Sequence, residues 1–424
     1  MRRPHRLLVA ALACAGTLAV AAAIPLVASP AQAAATLTQV TGFGSNPGAL
    51  SMYSYVPTGL PSGAPLVVAL HGCTQSASDY YTNAGWPKYA DLYHFALVYP
   101  QQSSANNSTE CFNWFQTGDY TRGQGEALSI KQMVDYAVAH YGSDSHRVYV
   151  TGLSAGGAMT AVMLADYPDV FAGGAIIGGI PYACATDLSS GVTCEYSATS
   201  KTPAQWGALV RGADAGYSGT WPRVAIWYGT SDAIVNPANA TESRDQWTNV
   251  WGISQTPSST TSLPGNTTLQ SYNDSSGKAA VQLYSVQGIG HGTPVNPGSA
   301  TDQCGATGTY YLQSICSSYY IAQFWGLATG SSSPTASPTA SPTPTRSASP
   351  TPSPTKSPTP TPTANQPCFT DNNYNQTVAG RAHQSGGYVY ANGSNQAMGL
   401  WNVFTTHTLR QTGANYYVLA DGQC

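Results

Sequence analysis

Apolar residues between positions 34 and 329 form short continuous runs that alternate with stretches of helical spacing. Continuous runs of this length that end at glycine or at polar residues predict buried strands, whereas the stretch 125–142 predicts a helix that ends on Gly142. Strands that alternate with helices predict a mostly parallel sheet covered on both faces. The predicted strands are 64–72, 94–101, 147–152, 173–179, 223–229 and 280–286, and a closing helix is predicted over 317–327.

The first 33 residues follow a different pattern. Arg2, Arg3 and Arg6 precede a long apolar run, and Ala31-Gln32-Ala33 (31–33) fits a small-x-small cleavage site. We therefore predict a signal peptide over 1–33 and a secreted, extracellular protein. The apolar run is long for a signal peptide, so a retained membrane anchor is the alternative; no later segment resembles a membrane span.

The C-terminal part divides into a linker and a small module. In the segment 330–366, ten prolines stand among Ser and Thr, a composition that favours extended polyproline II and cannot build a core. The segment 367–424 contains two alternating stretches, "GGYVYANG" and "NYYVLADG", which predict short strands. A unit of 58 residues buries little surface, so we expect Cys368 and Cys424 at its two ends to staple it. The domains are thus the catalytic part 34–329, the linker and a β-rich module.

The low charge of the chain excludes some partners. Charged residues make up 8%, and removal of the three N-terminal arginines leaves 13 basic against 19 acidic residues. Nucleic-acid binding needs clustered Lys and Arg, so no nucleic-acid partner is expected. No CxxC pair, HExxH motif or acidic calcium loop occurs, and we predict neither a metal nor another cofactor.

Cysteine usage agrees with an extracellular address. Of nine cysteines, Cys14 lies in the predicted signal peptide, and the remaining even number predicts four disulfides. Eight cysteines allow 105 pairings. Proximity in sequence favours Cys184–Cys194 and Cys304–Cys316.

The stretch Gly152-Leu153-Ser154-Ala155-Gly156 (152–156) lies where a predicted strand meets a predicted helix. On such a sharp turn the serine oxygen projects above the sheet, and the flanking glycines Gly152 and Gly156 allow close backbone approach. Ser154 is therefore a candidate nucleophile. The alternative is a tight glycine turn with an incidental serine.

A serine hydroxyl needs a base and an orienting acid, which in this fold follow later strands in the order acid, histidine. Asp232 follows the strand 223–229, and His291 follows the strand 280–286. We predict a Ser154-Asp232-His291 triad. The alternatives are that Asp232 only caps a turn and that His291 is only a structural histidine.

Acyl transfer also requires N–H groups that stabilise an oxyanion. The residue after the nucleophile, Ala155, supplies one of them. The loop directly after "PLVVAL" begins with His71 and Gly72. We predict the N–H of Cys73 in this loop as the second donor, with the His71 ring supporting the loop. A simple strand-ending turn is the alternative.

Taken as a set, "LHGCTQ", "ECFNWF", "GLSAGGAMT", "GTSDAIVNP" and "GIGHGTPV" resemble secreted polyhydroxybutyrate depolymerases and their relatives, the feruloyl and acetylxylan esterases. The resemblance covers most of residues 38–327 and implies an α/β-hydrolase fold. It also implies a Cys73–Cys111 disulfide that anchors the oxyanion loop.

The tail stretches "AGRAHQSGGYVYANGSNQAMGL" and "TLRQTGANYYV" resemble the polymer-binding module of these depolymerases. That resemblance implies adsorption to solid poly(3-hydroxybutyrate), although the Ser/Thr/Pro linker differs in composition from the family's usual linkers. An uncharged, aromatic face can pack on a polyester without desolvating charges. The alternative is that these aromatic residues fill the core of the module.

The sequence therefore predicts a secreted, monomeric serine esterase that cleaves a solid polyester and does not associate with a membrane after signal cleavage. A feruloyl or acetylxylan esterase with a borrowed binding module is the second hypothesis. An adhesion protein without catalysis is the third.

Overall fold

A computed structural model describes residues 35–329, 367–385, 388–400 and 405–424. The predicted signal peptide (1–33) and the predicted linker (330–366) lie outside these residues. Among the described residues, no helix has the length and apolarity needed to cross a bilayer.

Within residues 35–329, ten strands form one sheet in the order β1-β2-β4-β3-β5-β6-β7-β10-β9-β8. The strands are β1 (Thr38–Val40), β2 (Ser51–Tyr55), β3 (Leu66–Leu70), β4 (Ala96–Gln101), β5 (Val148–Leu153), β6 (Phe171–Ile177), β7 (Arg223–Gly229), β8 (Ser259–Leu263), β9 (Thr267–Asn273) and β10 (Ala279–Val286). Two short strands, β11 (Thr293–Val295) and β12 (Tyr311–Gln313), pair separately. The helices are α1 (Ala77–Asn83), α2 (Trp86–Tyr93), α3 (Thr117–Tyr120), α4 (Gly125–Tyr141), α5 (Ala155–Asp166), α6 (Leu188–Ser197), α7 (Pro203–Ala213), α8 (Ala238–Trp251) and α9 (Ser317–Phe324), followed by a 3₁₀ turn over Leu327–Thr329.

The six central strands, β4, β3, β5, β6, β7 and β10, pair in parallel. They coincide with the six strands predicted from the apolar runs, and the predicted helices over 125–142 and 317–327 correspond to α4 and α9. The predicted mostly parallel sheet is confirmed. The four outer strands are antiparallel.

The continuous apolar runs arise because both faces of the sheet are covered. In β3, Leu66, Val68 and Leu70 pack into the core on one face, while Val67 and Ala69 pack into the core on the other. Successive side chains of a strand point to opposite faces, so a strand buried on both faces has no polar position. The 12 residues of α5 are likewise all buried.

The C-terminal residues form two three-stranded sheets, β13-β17-β18 and β14-β15-β16. Among the described residues, their small core contains Ala382, Val389, Ala391, Met398 and Leu409. The elements are β13 (Cys368–Asn372), α10 (Asn373–Val378), β14 (Ala382–Ser385), β15 (Tyr388–Ala391), β16 (Ala397–Leu400), β17 (Thr406–Gly413) and β18 (Tyr416–Leu419). The predicted short strands correspond to β15 and β18.

All eight cysteines expected in disulfides are paired. The two pairs favoured by sequence proximity are present, as are the pair implied by the family resemblance and the staple of the C-terminal module. The pairs are Cys73–Cys111, Cys184–Cys194, Cys304–Cys316 and Cys368–Cys424.

The turn between β5 and α5 depends on a close backbone approach. A Cβ added at Gly156 would lie 2.5 Å from the carbonyl oxygen of His71, and one added at Gly152 would lie 2.4 Å from that of Gly156. Real Cβ atoms do not come this close to backbone oxygens. The two glycines therefore allow the ends of β3 and β5 to pack directly against the first turn of α5.

This packing predicts opposite effects of one substitution at two helical glycines. Gly156→Ala forces backbone apart and should lower the free energy of unfolding by about 1–3 kcal/mol, as overpacking does. A Cβ added at Gly212 in α7 would have no atom within 4 Å apart from its own stretch of helix. Gly212→Ala should therefore raise the free energy of unfolding by about 0.5–1 kcal/mol, because alanine has the higher helix propensity. Thermal unfolding followed by circular dichroism measures both, and equal shifts in Tm would contradict the packing argument.

Candidate active site

Three predicted residues meet at the carboxyl-terminal edge of the parallel strands. Ser154 follows β5 directly, Asp232 follows β7 after two residues, and His291 follows β10 after four residues. The strand order β5-β6-β7-β10 places these ends side by side. In open α/β sheets, ligands bind at this edge.

Ser154 occupies a strained backbone conformation, with φ 58° and ψ −120°. Positive φ is uncommon for a residue with a side chain and is often found at functional sites. The N–H of Ser154 donates to the carbonyl oxygen of Ile177 at the end of β6 (2.9 Å), and its own carbonyl accepts from the N–H of Ala158 (2.8 Å). These two bonds fix the turn between β5 and α5.

Asp232 and His291 form a buried hydrogen-bonded pair, in which Nδ1 of His291 lies 2.8 Å from Oδ2 of Asp232. The other carboxylate oxygen, Oδ1, accepts from the N–H groups of Ile234 and Val235, each at 2.9 Å. A carboxylate only accepts, so Nδ1 donates this hydrogen bond, and in a neutral imidazole Nε2 is then the acceptor nitrogen. This arrangement orients an imidazole to act as a base.

Gly178, which follows β6, makes room for the imidazole. Its φ is +50°, and an added Cβ would lie 3.2 Å from Cε1 of His291. Sequence reasoning included this glycine in a strand and assigned it no role. A Gly-Gly pair directly after a buried strand was the available signal.

Ser154 lies at the junction of two cavities. The aromatic cavity is lined by Ser154, Ala155 and Cys73 and has mainly apolar walls. The histidine cavity is lined by Ser154, Cys73 and His291. Further walls of the aromatic cavity are Trp114, Phe115, Ile180, Leu188, Val192, Glu195 and Val235, and those of the histidine cavity include Tyr196, Ile234 and Tyr310. Sequence reasoning named none of these wall residues.

The two predicted oxyanion donors flank the serine. Ala155 is the first residue of α5, and Cys73 lies in the loop after β3, where a Cβ added at Gly72 would be 3.4 Å from Cβ of Ser154. Within the described part of the chain, neither the Cys73 N–H nor the Ala155 N–H donates a hydrogen bond. Both N–H groups are therefore left without an acceptor among the described residues.

His71 is fully buried and holds the loop that carries Cys73. Its Nδ1 donates to the carbonyl oxygen of Gly72 (2.7 Å), and its Nε2 accepts from the N–H of Gln102 (3.1 Å). Burial lowers the pKa of His71 to about 4. A neutral ring with both nitrogens occupied supports the interpretation that His71 positions the loop and moves no proton.

Glu126 organises the segment on the far side of the Cys73–Cys111 disulfide. Its carboxyl accepts from the N–H and the Nδ2 of Asn113, each at 2.8 Å, and from Nε2 of Gln102 at 2.5 Å. The same Nε2 donates to the carbonyl oxygen of Cys111 at 3.1 Å. Burial raises the pKa of Glu126 to about 8. The sequence indicates only that Glu126 lies near the start of a predicted helix, because its hydrogen-bond partners lie on another segment of the chain.

Comparison with known proteins identifies relatives of this chain. The family described as "Esterase PHB depolymerase" matches residues 50–264. Poly(3-hydroxyalkanoate) depolymerase C of Paucimonas lemoignei is 54% identical over 292 residues, which are 69% of this chain and 70% of that protein. Feruloyl esterase B of Talaromyces stipitatus is 39% identical over 298 residues, or 68% of this chain and 82% of that protein. The solved acetyl xylan esterase from Aspergillus awamori aligns with a TM-score of 0.59 and 29% identity, over 69% of this chain and 100% of that chain.

The fold and these relatives define the class: the protein is an α/β-hydrolase that acts as a carboxylic ester hydrolase. Within that class, the chain belongs to the esterase PHB depolymerase family.

Proposed function

We propose that this esterase is secreted, that it hydrolyses poly(3-hydroxybutyrate) through Ser154, His291 and Asp232, and that its C-terminal module adsorbs to the solid polymer. The observation that carries the catalytic part is the buried Asp232–His291 pair, whose imidazole shares a cavity with Ser154. The similarity to a poly(3-hydroxyalkanoate) depolymerase supports the substrate class.

The proposed reaction begins when Nε2 of His291 takes the hydroxyl proton of Ser154. The serine oxygen then attacks the ester carbonyl, and the resulting oxyanion accepts hydrogen bonds from the N–H groups of Cys73 and Ala155. The imidazolium, stabilised by Asp232, returns the proton to the departing chain alcohol. Water hydrolyses the acyl-enzyme by the same steps in reverse and releases a carboxylic acid.

The two cavities fit two sides of an ester. His291 delivers the proton to the leaving alcohol, so the alcohol chain belongs in the histidine cavity. The acyl chain then extends into the aromatic cavity, where Trp114, Phe115 and Leu188 offer apolar walls to its carbon atoms.

Surface composition supports the proposed tethering. Among the described residues, the large apolar side chains with high exposure are Leu92 and four in the C-terminal module, Tyr374, Val378, Tyr388 and Tyr416. Tyr374 and Val378 stand four residues apart on α10 and therefore share a face. Several exposed apolar side chains in so small a module favour an interaction surface, and these groups suit an uncharged polyester.

The few charged residues of the module have hydrogen-bond partners within it. Arg381 lies 3.2 Å from Asp371, and His407 lies 2.7 Å from Asp421. Arg410 donates to the carbonyl oxygen of Gln423. Adsorption therefore need not strip water from a charged group that lacks a hydrogen-bond partner in the protein. A tether of this kind would raise the concentration of the esterase at the polymer surface.

The second candidate function is hydrolysis of feruloyl or acetyl esters in plant cell walls. The 39% identity to a feruloyl esterase and the structural match to an acetyl xylan esterase favour it.

Substrate class is tested by supplying the purified protein with poly(3-hydroxybutyrate) film or with feruloylated arabinoxylan. We expect clearing of the film with release of 3-hydroxybutyrate units, and little ferulate. Ser154→Ala should clear no film, because the attacking oxygen is gone, yet should still adsorb to polymer granules. Faster release of ferulate than of 3-hydroxybutyrate would favour the second function, and film clearing by Ser154→Ala would contradict the assigned nucleophile.

Tethering is tested by removing residues 330–424 and by a full-length variant in which Val378, Tyr388 and Tyr416 are changed to Ser. Each lost apolar contact should weaken adsorption by about 1 kcal/mol or more, so the triple variant should bind granules at least about a hundredfold less tightly. Both proteins should cleave a soluble ester normally and attack film slowly. Leu92→Ser is the matched control, since it removes an exposed apolar side chain from the catalytic part. Undiminished attack on film by the truncated protein would contradict the proposal.

A further inference from the structure

One carboxyl group in the aromatic cavity has no role in the proposed triad. Glu195, near the end of α6, is 8% exposed and lines this cavity together with Ser154. Its backbone carbonyl accepts from the N–H of Asn236 (2.8 Å) and from Nδ2 of Asn239 (3.4 Å). These contacts hold the end of α6 against the segment that follows Asp232, so Glu195 has a fixed position.

The carboxyl of Glu195 differs from that of Glu126, the other buried glutamate near the site. Glu126 accepts from three N–H donors at 2.5–2.8 Å. The Glu195 carboxyl makes no hydrogen bond to any of the described residues, and its cavity neighbours Ile180, Val192 and Val235 are apolar. A buried polar group without a partner destabilises a fold by about 1–3 kcal/mol. In a ligand cavity, an isolated polar group of this kind typically fixes the ligand.

We propose that Glu195 is a specificity-determining residue for ester hydrolysis, and that its carboxyl hydrogen-bonds an oxygen substituent on the acyl group of the substrate. The class of acyl group is a 3-hydroxyacyl unit, whose oxygen is a free hydroxyl or is esterified to the next unit. This inference rests on the proposed function of Ser154, since that assignment places the acyl chain in the aromatic cavity.

The protonation state of Glu195 suits this contact. Burial raises the pKa of Glu195 to about 8, and the nearby negative charge of Asp232 adds to the shift. At neutral pH the carboxyl therefore holds its proton and offers one O–H donor and one carbonyl acceptor. A hydroxyl group or an ester carbonyl on the substrate can pair with it, whereas a plain acetyl or butyryl chain cannot.

The test compares two soluble esters that differ by one hydroxyl, p-nitrophenyl butyrate and p-nitrophenyl 3-hydroxybutyrate. For each variant, kcat/KM is measured on both esters, and the value for the hydroxy ester is divided by the value for the butyrate. This ratio is then divided by the ratio of the two esters' alkaline hydrolysis rates, which gives the corrected ratio. The wild-type protein should prefer the hydroxy ester. Glu195→Met, which is nearly isosteric and cannot hydrogen-bond in this way, should lower the corrected ratio by about ten- to a hundredfold.

Two further variants separate recognition from structure. Glu195→Gln keeps a donor and an acceptor and should retain most of the preference. Val192→Ala changes an apolar wall of the same cavity, three residues earlier on α6, and should affect both esters alike. An equal loss on both esters in Glu195→Met, or a ratio equal to that of the wild type, would overturn the proposal.

If Glu195→Met fails to fold, the wild type and Glu195→Gln still test the proposal, because absence of a preference for the hydroxy ester in the wild type, or its loss in Glu195→Gln, overturns it. The outcome is distinguishable from failure of the proposed function. If the wild type cleaves both soluble esters but clears no film, the polyester assignment fails. If it clears film while the ratio does not depend on Glu195, only this inference fails.

Discussion

The backbone contact between the ends of β3 and β5 and the first turn of α5 is the constraint on which the site depends. Only glycine at 152 and 156 permits it, since an added Cβ would meet backbone oxygen at 2.4–2.5 Å. The contact allows Ser154 to hold φ 58° at the tip of the turn, with the N–H of Ala155 beside it. The same approach brings the loop after β3, with Cys73, next to the serine. One packing contact thus positions both the proposed nucleophile and the N–H groups proposed to stabilise the oxyanion.

Around this contact, the protein fixes the oxyanion loop with buried polar groups instead of apolar packing alone. The Cys73–Cys111 disulfide ties the loop to the segment 102–115, and His71 bonds the same segment through the N–H of Gln102. Glu126 then fixes this segment by accepting hydrogen bonds from Asn113 and Gln102. Fully satisfied networks of this kind rigidify a structure. The carboxyl of Glu195, by contrast, accepts no hydrogen bond from the described residues, and Glu195 lines a cavity.

Much of this architecture could be predicted from the sequence because the decisive signals are local. The six parallel strands are buried on both faces, so each is a continuous apolar run with a clear end. Ser154, Asp232 and His291 follow the ends of three of these strands, which is why the sequence predicts them as a triad. The outer strand β8, by contrast, has the sequence Ser-Thr-Thr-Ser-Leu and is largely exposed, so no apolar pattern marks it. It is a strand because β9 pairs with it, which is a non-local property.

The residues that sequence reasoning missed share the same dependence on distant neighbours. Gly178 matters because His291, more than 100 residues later, packs against it. Glu126 and Glu195 look alike in sequence, as acids in helices with apolar neighbours. Their different roles follow from the presence of Asn113 and Gln102 around one of them and of an open cavity around the other.

The central claim is that Ser154 becomes a nucleophile through His291 and its buried partner Asp232. The most direct measurement is the rate of labelling by a fluorophosphonate, which bonds to an activated serine oxygen with loss of fluoride, followed by mass mapping of the labelled peptide. The account predicts a single label on Ser154 in the wild-type protein and a labelling rate that falls by several orders of magnitude in His291→Ala. A label on another residue, or an unchanged rate without the imidazole, would contradict it.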